Sequence, residues 1–522
     1  MSTTPCAPRG AIRRYAARGS LALSATALAF TLTVGSAPFA GPAVAATGCA
    51  GAESDFNGDG IRDTAIADPG ATVNGVAKTG VVHIVYGGGR GVLELTQEAA
   101  KGGTSEAGDF FGHALAVYDA DLDGCSDLAI GSPYEDNGSV VDVGRVLVVY
   151  GSATGLGAGK ATVNYQQGTA PMAGATSEAQ DWMGYSLAAG TSSTGVPFLA
   201  VGIPGEDRGT VVDAGAVVYF SGATTVTAAS IDQGDAKAGE VPDDPESYDR
   251  FGTSIAATPT HLAIGAPGES EGTLVDAGSV TIFSHTLVSG VPKPLNVITQ
   301  NTPNVSNASA AGDGFATSIA AVPHREAGAT STTESLLVVG IPGEDVGTIV
   351  DAGAVQVFRL DAAGAYTETS WIDQNSANVL SSSEAGDHFG QRVVAANTAV
   401  NDVSTPTATR AAIGVPGEDG SNVVADRGQV QVVPLIGSPG ASDVLLAPGA
   451  GMPVDEPRQY IGTSIAATSA GFYIGAPYGP AEAHAVYLYP WNVASSGAPI
   501  QTFKPGEGGI PADTATFGTV VR

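Results

Sequence analysis

The chain alternates short apolar runs with clusters of Gly, Asp, Asn, Pro and Ser. "LAIGSPYED" at 128–136 and "GTVVDAGAVVYF" at 209–220 show the pattern. The runs are short, rich in β-branched residues and bounded by turn formers, as in strands. No long stretch keeps a 3.6-residue period. The pattern predicts an all-β protein.

The runs are organised as a repeat. One half-unit reads "EAGDFFGHALAV" at 106–117. It returns as "EAQDWMGYSLAA" at 178, "ESYDRFGTSIAA" at 246, "AAGDGFATSIAA" at 310, "EAGDHFGQRVVA" at 384 and "EPRQYIGTSIAA" at 456. A last fragment, "DTATFGTVVR", ends at Arg522. A second half-unit follows each of the first six, as in "LAVGIPGED" at 199 and "LVVGIPGED" at 337. Each unit holds roughly four strands. The chain also opens on an orphan second half, "DTAIADPG" at 63–70. Six whole units and one unit split between the two ends make seven. Completing the split unit in one sheet closes a ring and removes two pairing-competent edges. The expected fold is a seven-bladed β-propeller covering 47–522, with the C-terminal strand paired to the N-terminal half-repeat. Its split blade combines residues 50–100 with 510–522. An open β-solenoid is the alternative.

Two loops carry metal-binding chemistry. "DFNGDGIRD" at 55–63 offers Asp55, Asn57, Asp59 and Asp63, with the carbonyl of Ile61 at position 7. "DADLDGCSD" at 119–127 offers Asp119, Asp121, Asp123 and Asp127, with the carbonyl of Cys125. Oxygens at positions 1, 3, 5, 7 and 9 suit Ca2+, which takes six to eight hard ligands. Two Ca2+ sites are expected. Position 12 is Ile66 or Ile130, so neither loop is an EF-hand. The competing reading is an acidic turn whose side chains cap their own backbone.

The "FG" half followed by "GxP", with DxDxDG-type loops in two units, resembles the FG-GAP repeat. That repeat occurs in the ligand-binding head of integrin alpha chains and in many secreted bacterial proteins. The resemblance implies a seven-bladed propeller, in agreement with the count above, and covers essentially residues 50–522. The pattern is broken at Met183-Gly184, Phe315-Ala316 and Ile461-Gly462, which read as packing changes.

Composition sets the compartment. Arg9, Arg13, Arg14 and Arg18 precede an apolar run from Leu21 to Val34, and "AVAA" at 43–46 offers small-residue cleavage sites. Residues 1–46 are read as a signal peptide, and the protein as secreted. No other apolar run reaches the ~18 residues that span a membrane. The formal charge is −30, becoming −34 once those four arginines leave. Such a surface repels phosphate backbones, so nucleic acid is excluded as a partner. Cys49 and Cys125 remain in an oxidising compartment and are expected to pair. Lipid anchoring at Cys49 is the alternative.

Catalytic signals are sparse. The seven histidines are scattered, and there is neither HExxH nor GxSxG. Glu135/Asp136, Glu206/Asp207, Glu344/Asp345 and Glu418/Asp419 invite a glycosidase reading. A glycosidase, however, needs two carboxyls in different environments, and these pairs repeat symmetrically. The "TVVDAG" segments read as turns, with a repeated ligand surface as the alternative. The functional expectation is a monomeric, calcium-binding, integrin-like adhesion module for an extracellular protein or glycan, and not an enzyme. The alternative is an extracellular hydrolase, phospholipase- or glycosidase-like, with its site on the rim.

Overall fold

The computed structural model describes Cys49 and residues 51–234, 243–420, 424–449, 452, 456–495 and 497–522. The expected signal peptide, 1–46, lies outside the described residues. The rest forms seven four-stranded antiparallel sheets. Blade two is typical, with strands Ala114–Tyr118, Asp127–Ser132, Arg145–Val149 and Val163–Tyr165 in order from the axis outward. The innermost strands of successive blades pack against one another in a closed circle. The ring is a seven-bladed propeller.

Blade one is the split blade. Its inner strand, Val520–Val521, pairs with Thr64–Asp68, which continues to Val81–Val85 and Val92–Leu95. The register sets Ile66 opposite Val521. Ala65 and Arg522 exchange N–H···O bonds of 2.8 and 2.9 Å, and Gly518 N–H donates to the Ala67 carbonyl at 2.9 Å. The two ends of the ring therefore close by strand pairing, as the phase of the repeats predicted.

The motif letters each have a packing reason. The "F" position is filled by Phe111, Met183, Phe251, Phe315, Phe389, Ile461 and Phe517, all at most 1% exposed. Full burial of such side chains contributes about 1.5–3 kcal/mol each. Met183 and Ile461 are thus replacements within one buried slot. The "G" of GxP lies against the backbone of the next blade. A Cβ on Gly131 would come within 2.1 Å of the Gly184 carbonyl oxygen, and one on Gly340 within 2.1 Å of that of Gly390. No side chain fits there.

Candidate functional site

The two acidic loops fold alike. In the first, Asp55 accepts N–H bonds from Asp59 and Gly60, and Asp59 accepts one from Ile61. In the second, Asp119 accepts from Asp123 and Gly124, and Asp123 from Cys125. Position 9 is also equivalent. Asp63 accepts from Phe56 and Gly87, and Asp127 from Ala120 and Gly151. Each loop thereby turns its acidic side chains toward its own centre. Oxygens of Asp119, Asp121 and Asp127 lie within 4.8 Å of one another.

In the first loop Asn57 replaces one carboxylate, and no matching trio of carboxylates forms. Asp59 Oδ2 instead lies 2.9 Å from Arg90 Nε. In the second loop the buried Asp121 Oδ1 accepts no hydrogen bond, while Asp121 Oδ2 accepts from Lys160 Nζ at 3.2 Å. Burial pushes Asp127 up to about 7 against two N–H donors, and the Asp121 and Asp119 charges add to the rise. Converging hard oxygens with an unpartnered lone pair suit a dication. Cys49 and Cys125 are disulfide-bonded, with Cα atoms 4.8 Å apart. The bridge ties the second loop to the segment that leads into the first.

The repeated Glu-Asp pairs are structural. Each Glu reaches back to a glutamine at the end of the preceding blade's outer strand. Gln97 donates to Glu135 at 2.7 Å, Gln167 to Glu206 at 2.6 Å, Gln300 to Glu344 at 2.7 Å and Gln374 to Glu418 at 2.8 Å. Gln233 and Glu269 repeat the contact at 2.7 Å. The Asp of each pair caps the "TVVDAG" loop. Asp136, Asp207, Asp345 and Asp419 each accept the N–H of that loop's own aspartate at 2.9 Å. The loop in turn holds the FG turn, as in the 2.9 Å bond from Met183 N–H to the Val143 carbonyl. The glycosidase reading of these pairs therefore fails: they are inter-blade links in several near-identical copies.

The end of the ring opposite the acidic loops differs from blade to blade. The residue before the "F" is left-handed in six units: Phe110, Trp182, Arg250, Gly314, His388 and Tyr460 have φ between 48° and 61°. Bulky residues rarely adopt this conformation. Here a hydrogen bond enforces it each time, from their N–H to the carbonyl of Lys78, Asp142, Asp213, Asp276, Asp351 and Asp426 respectively, at 2.9–3.1 Å. An invariant backbone thus presents variable side chains. Several form an aromatic cluster. Phe110 and Tyr134 ring centres are 5.5 Å apart, Tyr134 and Trp182 6.4 Å, and His113 and Tyr185 4.9 Å.

Beside that cluster opens an axial cavity of about 830 Å³, lined by the inner strands. One residue after each FG pair, threonine recurs, but His113, Tyr185 and Gln391 interrupt it. At the following position Ser186, Ser254, Ser318 and Ser464 recur, and blade six has Arg392.

A family model described as FG-GAP repeat matches residues 111–149, and a second FG-GAP repeat model matches 240–283. This is an FG-GAP repeat β-propeller. Phosphatidylinositol-glycan-specific phospholipase D of Mus musculus is 39% identical to it over 106 residues, 20% of this chain and 12% of that protein. The Dictyostelium discoideum protein of that name is 27% identical over 261 residues, 44% of this chain and 26% of its own. The FG-GAP propeller thus spans a small part of the length of these relatives. The periplasmic gluconolactonase PpgL of Pseudomonas aeruginosa superposes with a TM-score of 0.42 at 12% identity, over 87% of this chain and 99% of that one.

These names correct one expectation. The sequence was read as a non-enzyme, yet the curated relatives that the FG-GAP propeller resembles are phospholipases by name. The missing HExxH and GxSxG exclude two kinds of active site and leave other hydrolytic chemistry open. Sequence reasoning also passed over the Gln–Glu links and Arg392. The first had a signal in the glutamine that follows five of the seven outer strands. The second had one in "QRVVA", which breaks a run of "TSIAA". Among the described residues no helix is long and apolar enough to cross a membrane.

Proposed function

We propose that this FG-GAP propeller is an exported, Ca2+-stabilised binding module that engages an extracellular glycan or protein through the face bearing the FG turns. The observation that carries the reading is the left-handed position before the FG pair in six of the seven units. It repeats in backbone and hydrogen bonding while its side chain runs through Phe110, Trp182, Arg250, His388 and Tyr460. Uniform geometry with divergent chemistry is how a scaffold displays a recognition surface. The acidic loops lie at the other end of the inner strands and support the ring. Asp55, Asn57, Asp59 and Asp63 with the Ile61 carbonyl would hold one ion. Asp119, Asp121, Asp123 and Asp127 with the Cys125 carbonyl would hold the other. Bound Ca2+ supplies charge neutralisation, and the chain's own N–H donors hold the carboxylates in place.

Glycan and protein arrays probed with wild type and W182A test the reading. Loss of a specific signal in W182A, with an unchanged melting temperature, supports it. Arrays with no specific signal sink it. Calcium is tested separately. A ligand present at 100 times its Kd stabilises by about 2.7 kcal/mol per site, so EDTA should lower the melting temperature and added Ca2+ restore it. An unchanged melting temperature at matched ionic strength removes the metal from the proposal.

A second reading is that the propeller belongs to a hydrolase, supported by the phospholipase D relatives. Turnover of phosphodiester, ester and glycoside panels by the full chain tests it. Activity lost in R392S or H113A would place the chemistry at the channel.

A further inference from the structure

We infer that the mouth of the axial cavity on the FG face binds a small sugar-like ligand bearing an oxyanion, with Arg392 as its principal anchor. The inference deepens the binding reading above by naming a ligand class and a position on the same face.

Placement comes first. Arg392 belongs to blade six, at the first residue of the inner strand Arg392–Asn397. Four other blades carry serine at this position, buried in three of them and half-buried at Ser186. Ser186, Ser254 and Ser464 hydroxyls donate to the carbonyls of Gly252, Ala316 and Gly518 in the next blade at 2.6–2.7 Å. Arg392 cannot play that part, and it lines the cavity instead. Its charge is felt across the axis, by His113 in blade two and Arg522 in blade one. Burial, then the Arg392 charge, pushes His113 down to about 4 and Arg522 down to about 10. Burial lowers Arg392 itself, and Tyr185 in blade three acts the other way.

Partners come next. Among the described residues no carboxylate is ion-paired with Arg392 or Arg522. The acidic residues bordering the cavity are Glu53 and Asp119. Both sit at the far end. Asp119 follows the inner strand Ala114–Tyr118, roughly 15 Å down the strand from the FG turn at ~3.3 Å per residue. Glu53 is held there by Arg62 and Ser469. In a chain of formal charge −30, Arg392 lies half-buried in the cavity without an ion-pair partner. Leaving charges unpaired and partly desolvated is costly. An oxyanion relieves that cost through a planar guanidinium fork.

Shape and lining supply the rest of the ligand. The cavity of about 830 Å³ admits a monosaccharide. The His113–Tyr185 pair in the lining offers apolar faces to a sugar ring. Gln391 and the channel threonines offer hydroxyl partners.

Arg392→Ser is the decisive variant, because it restores the residue that four blades carry. It should fold with a melting temperature equal to or above wild type. Titration calorimetry would use inorganic phosphate, glucose 1-phosphate, glucuronate and neutral glucose. The sugar phosphate or the glucuronate should bind wild type, the tighter of the two identifying the oxyanion as phosphate or carboxylate. Binding should weaken about tenfold or more in R392S and recover in part in R392K. Glucose binding as tightly as its phosphate would overturn the inference. So would equal affinity in wild type and R392S, or no anion binding at about 10 mM. Arrays that bind wild type and R392S equally would sink this site while leaving the wider binding face standing.

Discussion

The ring is held at two kinds of junction, and they are built differently. Five junctions between consecutive blades use a glutamine and a glutamate, buried in four of them and half-buried at Glu206. Burial pushes the glutamates up, to about 8 for Glu135 and Glu206, 9 for Glu269, and 7 for Glu344 and Glu418. The seam inside blade one uses Asp68. Its carboxylate accepts from Ala515 N–H at 2.8 Å, Thr516 N–H at 2.6 Å and the Thr516 hydroxyl at 3.0 Å. At the five junctions the covalent chain already keeps the blades together, and one amide donor suffices. At the seam nothing covalent joins the inner strand to the next one. There three donors, a strand pairing and the buried Phe517 share the task.

Deleting residues 512–522 should have the largest effect on the seam. This removes Phe517, the inner strand and all three Asp68 donors. It exposes the edge of Thr64–Asp68, so cooperative unfolding should be lost. Circular dichroism melts and gel filtration would show a broad, aggregation-prone species. A deletion protein melting within a few degrees of wild type would mean that the seam does not close the ring. Next in size is D68A, which leaves two backbone N–H groups and a hydroxyl without their acceptor. It should cost about 2–4 kcal/mol. The matched change at a blade junction, E269Q, keeps an acceptor for Gln233 and should cost under about 1 kcal/mol at pH 6. Equal losses in urea melts would erase the distinction.

The legibility of the molecule follows the same division. Blade number and ring closure could be read because both halves of each repeat recur in order, and the orphan halves at the two ends are complementary. The acidic loops could be read because their donors lie within nine consecutive positions. The Glu135 link could not, since its partner Gln97 lies 38 residues upstream in another blade. Sequence showed four repeated acidic pairs, and only the packed ring shows that each Glu and Asp serves a different contact. Arg392 was harder still, because His113 and Arg522, which line the same cavity, come from other blades.

The junction glutamates also make the two kinds of contact respond differently to pH. Glu206 is typical: burial raises it to about 8, with Asp181, Glu178 and Asp232 adding negative charge and Gln167 opposing. Asp181 itself is raised by burial to about 7. A carboxyl whose folded pKa exceeds its unfolded value holds its proton more tightly when folded. Its contribution to stability is complete below about 4.5 and is lost as pH rises through about 8. Stability should therefore fall between pH 5 and 9, all five junctions acting in the same direction. E206Q should flatten its share, gaining about 1–3 kcal/mol relative to wild type at pH 8 and little at pH 5. A steeper slope in E206Q than in wild type would refute the assignment.

The smallest effect separates backbone conformation from close packing as the reason for glycine in the FG pair. Six units carry glycine there with φ from 87° to 106°, and Ala316 alone sits at 70°. A left-handed alanine costs roughly 1 kcal/mol relative to glycine. Its buried methyl group returns about 0.8 kcal/mol, and a glycine would lose a further 0.5–1 kcal/mol of chain entropy on folding. These contributions nearly cancel, so A316G should change stability by less than about 1 kcal/mol in urea titration. G390A meets the same conformational cost and a second one. Its new Cβ would lie 2.6 Å from the Ala354 carbonyl oxygen and 3.3 Å from the Gly340 Cα, which forces the two blades apart. It should be the more damaging change by at least about 2 kcal/mol. If the two substitutions proved equal in size, left-handedness alone would explain the motif, and the glycine-to-glycine approach between blades would contribute nothing.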